Sequence, residues 1–141
     1  MSQKILFITI FFLSLFTLQA TPNKKKIERF PLLQTKWILD DINNTNIFFD
    51  SDTAFIVFFE NYTFSGNFGC NTFYGNFTHG KKRIKLDYLG SSKKLCTNMK
   101  VEELFFKAIK SDISHYYIDK NKLYLLYKLN VVCKFRCDEK K

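Results

Sequence analysis

From Tyr62 to Tyr88 apolar and polar residues alternate with only short interruptions, and a period of two sustained that long commits the segment to antiparallel β-structure with one buried face. Tyr62, Phe64, Gly66 and Phe68 alternate with Thr63, Ser65 and Asn67, and then Phe73, Gly75 and Phe77 alternate with Thr72, Tyr74, Asn76 and Thr78. In the cleanest stretch, Ile84, Leu86 and Tyr88 oppose Arg83, Lys85 and Asp87. Glu60-Asn61 and His79-Gly80-Lys81 read as the turns. Upstream, Thr53 to Phe59 is apolar on both alternating sets, which predicts a central strand covered on both faces.

After Asn98 the period changes. Val101, Leu104, Phe105, Ala108 and Ile109 fall on one helical stripe, with Lys100, Glu103, Lys107 and Lys110 largely off it, so a single amphipathic helix is expected over 98–112. Thr97 or Asn98 can cap it, and Glu102 and Glu103 suit the positive end of its dipole. Three short strands follow, Tyr116 to Ile118, Lys122 to Lys128 and Val131 to Arg136. Strands, one helix and strands again give an α+β, mostly β chain: a strongly bent antiparallel sheet or incomplete barrel with one amphipathic helix plugging it.

The first twenty residues follow a different plan. Lys4 precedes an apolar run from Ile5 to Phe16 that closes at Leu18-Gln19-Ala20, the pattern of a secretory signal peptide cleaved after Ala20. No cysteine at that junction offers a lipidation site. A basic arm is expected over 21–32, one domain over 33–137 and a charged tail over 138–141. Without the leader, 21 basic residues stand against 13 acidic ones, a net charge of +8. Such a charge favours anionic partners, although abundant Lys, Asn, Phe and Ile also fit an AT-rich coding sequence. The four cysteines, Cys70, Cys96, Cys133 and Cys137, would all meet an oxidising compartment after export, and spacing alone leaves their three pairings open.

Reactive groups are sparse. His79 sits in an expected turn and His115 at the helix exit, where both read as surface residues, and Asp40-Asp41 reads as a solvated turn. No nucleophile, base and carboxylate are set out as a catalytic group, so no enzyme activity and no cofactor are expected. Cys133 and Cys137 lack the second pair of a structural zinc site, and no Cys-x-x-Cys motif supports redox chemistry. Nucleic acid is not an expected partner, since the alternation assigns most aromatics to buried faces. Asn43, in Asp41-Ile42-Asn43-Asn44-Thr45, fits an acidic-extended glycosylation sequon, though an ordinary Asn-rich turn is the favoured reading.

Trp37-Ile38-Leu39, the segment GNFGCNTFYG from Gly66 to Gly75, LGSSKKLC from Leu89 to Cys96, and Glu102-Glu103-Leu104-Phe105 together resemble the META/HslJ domain of small bacterial envelope proteins. The resemblance spans about residues 33–136, with Gly69, Cys70, Asn71, Phe73 and Gly75 as its motif. It implies a Cys70–Cys96 disulfide and a non-enzymatic exported protein of the periplasm or cell envelope, tied to envelope integrity and to stress or drug tolerance. The partner would be another envelope protein or an anionic envelope component, with peripheral membrane association. The domain is also similar to the cracked barrels of secretion pilotins, which implies the alternative of a carrier or sensor of a lipid or other apolar ligand.

Two further expectations come from the residues themselves. Arg83 and Lys85 form a basic outward strand face, which Lys81, Lys93 and Lys94 could extend, and this is the leading binding face. Cys133 and Cys137 would lie roughly 13 Å apart on a straight strand. Either the chain bends sharply after Phe135 and they pair with each other, which is the favoured reading, or they remain free or pair between molecules.

Overall fold

The computed structural model describes residues 30–46, 54–97, 99–110 and 112–137. The expected leader, most of the arm, the helix cap at Asn98 and the charged tail lie outside the described residues. In chain order the elements are β1 (Trp37–Ile42), β2 (Thr45–Asn46), β3 (Ala54–Phe58), β4 (Thr63–Phe68), β5 (Thr72–His79), β6 (Ile84–Ser91), α1 (Lys100–Lys110), β7 (His115–Asp119), β8 (Lys122–Tyr127) and β9 (Asn130–Arg136). They form one antiparallel sheet in the order β6-β5-β4-β3-β1-β9-β8-β7, with β2 folded back on β1. Both expectations for the architecture hold: the molecule is mostly β, and its bent sheet is not closed into a barrel.

Two glycines allow the bend. Gly66 pairs with Phe73 across β4 and β5, and Phe64 pairs with Gly75, so each phenyl ring lies over the opposite glycine. A Cβ on Gly66 would run into the carbonyl of Phe55, and one on Gly75 into that of Asp87. These close backbone approaches coil the sheet round a core in which Trp37, Phe58, Phe64, Phe73, Phe77 and Phe135 are all buried.

The ends of the sheet meet at one corner. Arg83 and His115 form a single antiparallel bridge, flanked by hydrogen bonds from the Ile84 N–H to the Ser114 carbonyl (3.1 Å) and from the Tyr116 N–H to the Lys82 carbonyl (2.9 Å). Both strands start at this corner and run apart. Further antiparallel pairing along β6 would need residues preceding His115, and those belong to the helix exit. The helix occupies that gap: Phe105 stacks on Phe68, and Phe106 meets Tyr88 edge-on with ring centroids 5.2 Å apart. Full burial of the Phe105 side chain contributes about 2–3 kcal/mol.

Leu32, just before the expected start of the domain, is buried, and its carbonyl accepts the Trp37 indole N–H at 3.0 Å. Three details depart from the sequence expectations. His79 is the last residue of β5 and not part of the turn. Asp40-Asp41 lies inside β1 at a register shift, not in a solvated turn. The half-buried Asp40 meets Arg136 at 2.6 Å, while the buried Asp41 carboxylate meets Lys134 at 3.7 Å and accepts the Asn44 N–H at 2.9 Å. Finally, β9 runs unbroken through Arg136, and Cys133 and Cys137 form no disulfide. The expected bend is absent because β9 pairs on both sides, with β1 and β8, and its alternation carries Cys133, Phe135 and Cys137 into the core in turn.

Candidate functional site

The corner between β4 and β5 carries the glycine-cysteine-asparagine segment. Gly69 takes φ 98°, a left-handed conformation that side chains disfavour, and its N–H donates to Asn67 Oδ1 at 2.7 Å. Cys70 is joined to Cys96 with Cα atoms 6.1 Å apart, which ties the corner to the segment leaving β6. Asn71 is only 2% exposed. Its Oδ1 accepts from Ser92 Oγ and from the Lys94 N–H, both at 2.7 Å. Its Nδ2 donates to the Lys94 carbonyl at 3.2 Å and to Glu102 Oε1 at 3.0 Å, and its backbone N–H donates to Glu102 Oε2 at 3.1 Å.

An asparagine side chain offers two donors and two acceptor sites, so Asn71 is saturated by the protein itself. The motif thus works as a clasp between the β4–β5 corner, the segment after β6 and the start of α1. Glu102, buried in the first turn of the helix, is a partner that the sequence reading treated only as a dipole complement. A signal for it exists: Glu102 lies three residues before Phe105 on the apolar stripe.

Arg83 and Lys85 lie elsewhere, at the corner where the sheet ends meet. Both are exposed, and among the described residues neither has an ion-pair partner. They border a cavity of about 400 Å³ between the start of β6 and the end of the helix. Its walls include the buried side chains of Ile84, Ile109 and Ile113, with Asp112 and Ser114 on the helix-exit side and His79 on β5. The expected extension of the basic face does not form one patch. Lys93 and Lys94 follow the far end of β6, roughly 30 Å along the strand from Arg83 at about 3.3 Å per residue, and the Lys94 backbone is engaged by Asn71.

The remaining reactive groups are separate from one another. His115 is half-buried, with Nδ1 3.0 Å from Ser114 Oγ, while His79 stacks on Phe77. Among the described residues no three His, Cys, Asp or Glu side chains are grouped to hold a metal ion. Burial, with the Asp41 charge as the lesser cause, raises the Cys133 thiol far above its ordinary pKa.

The META domain family model matches residues 30–139. No curated protein matches the chain. Among solved structures, a protein determined by NMR shares 21% identity over 74% of this chain and 90% of its own, with a TM-score of 0.59. A DUF4847 family protein from Bacteroides vulgatus shares 18% identity over 63% of this chain and 62% of its own, with a TM-score of 0.49. At these identities the first likeness shows the common fold alone. With the family model covering the nine strands found among the described residues, the helix and the clasped corner, the chain belongs to the META domain family.

Proposed function

We propose that this META domain protein is an exported, non-enzymatic component of the cell envelope that acts by binding, with the Arg83 and Lys85 side of β6 as its contact surface. The observation that carries this reading is the pair of exposed, unneutralised cations at the mouth of a cavity with an apolar wall. With Asp112 the one acid on the cavity lining, the two cations leave a positive balance that attracts an anionic partner over several ångströms, and the field of a basic chain strengthens that attraction. The Cys70–Cys96 disulfide supports an oxidising location such as the periplasm. Support of envelope integrity under stress is the process that such binding would serve.

The test is charge reversal. R83E/K85E should remain folded and lose binding to isolated envelope fractions, and binding by the wild-type protein should fall as ionic strength rises. Equal binding by both proteins at low salt would overturn the assignment of this surface.

A further inference from the structure

We infer that the cavity beside Arg83 takes an amphipathic monoanion, with an unbranched acyl chain inside and a carboxylate or phosphate group at the mouth. This inference rests on the binding surface proposed above and names its ligand. About 400 Å³ falls in the range of roughly 300–1,000 Å³ typical of small-molecule sites. The inner wall is aliphatic: Ile84 comes from β6, Ile109 from the last turn of α1, and Ile113 from the segment that leads into β7. None of them offers a hydrogen bond, so the inner end of the ligand must be apolar.

The mouth has the opposite character. Arg83 and Lys85 contribute two positive charges and Asp112 one negative charge, so the Arg, Lys and Asp side chains of the lining sum to +1. A single anionic group matches that balance, whereas a dianion would face the Asp112 carboxylate. The position follows from the topology. Among the described residues the two sheet ends are paired at a single bridge, Arg83 with His115, and beyond it the wall facing β5 and β6 is built by Ile109 of the helix and by Asp112, Ile113 and Ser114 of the helix exit.

The acyl chain could come from a free fatty acid or from an anionic phospholipid, and one set of measurements with the full-length protein separates these sources. Titration calorimetry with dodecanoate should show one site, with dodecanol about tenfold weaker because it lacks the charge. R83Q/K85Q should bring dodecanoate down to the dodecanol affinity. Thr78→Trp, which places an indole at the mouth, should abolish binding of both, with Leu86→Trp as a second plug should the first variant fail to fold. Vesicles of phosphatidylglycerol should bind wild type more tightly than the plugged variant if the chain is drawn from a bilayer. Dodecanoate bound with vesicle binding unaffected by the plug would identify the free acid as the source. Absence of dodecanoate and vesicle binding by folded wild type, or binding untouched by both plugs, would overturn the cavity assignment. If R83E/K85E still loses envelope binding in that case, the surface reading stands without the cavity.

Discussion

Glu102 holds Asn71 twice, accepting its backbone N–H with one carboxylate oxygen and its side-chain amide with the other, across a sequence separation of 31 residues. One acid in the first turn of α1 therefore fixes the corner between β4 and β5. Glu102→Ala leaves two buried donors without that acceptor and should cost about 2–3 kcal/mol in urea unfolding. Glu103→Ala, on the exposed side of the same turn, should change stability by no more than about 0.5 kcal/mol.

Gly75 and Gly80 provide a matched pair of substitutions. At Gly75 an added Cβ meets the Asp87 backbone and the Phe64 ring, and the backbone cannot yield without breaking the β5–β6 pairing. Gly80 has open space. Gly75→Ala should lower stability by about 3 kcal/mol or prevent folding, while Gly80→Ala should leave the thermal midpoint within a few degrees of wild type.

The Cys70–Cys96 bond closes a loop with a sequence separation of 26. In the chain-entropy description, its loss should cost about 3 kcal/mol, read as a lower melting temperature for C70S/C96S. Non-reducing peptide mapping should recover Cys70 joined to Cys96. Denatured, unreduced protein should titrate two thiols, Cys133 and Cys137.

Cys133 should make stability fall with rising pH. Its folded-state pKa is raised, so above about pH 8.5 the unfolded chain loses a proton that the folded chain retains. The unfolded state then binds fewer protons, and unfolding becomes easier by up to about 1.4 kcal/mol per pH unit. Urea unfolding followed from about pH 8 to about pH 10 should show this slope in wild type, and Cys133→Ala should reduce it.

What the sequence made legible was set by local repeats. The alternation of Ile84, Leu86 and Tyr88 against Arg83, Lys85 and Asp87 needs only neighbouring residues to be read, and β6 follows it. The stripe through Phe105, Ala108 and Ile109 likewise yields α1. The resemblance supplied the Cys70–Cys96 pairing. Asp40 defeated the local reading because its bulge is defined by the register of β1 on β9, almost a whole chain away. Lys93 and Lys94 looked close to Arg83 in sequence, yet the rise of an extended strand separates them. The cavity was illegible for a similar reason: Ile84, Ile109 and Ile113 converge only when the sheet ends meet.

The two core cysteines give the fold an internal clock. Cys133 is wholly enclosed in β9 and its burial favours the unreactive protonated form, while Cys137 is buried at the end of the same strand. An added thiol reagent can label Cys133 only during moments when β9 has left its place between β1 and β8. The labelling rate of Cys133 therefore times the opening of the middle of the sheet. Cys137, where the strand ends, times fraying of its last residues, so the native chain reports on two depths of its own unfolding with no added probe group.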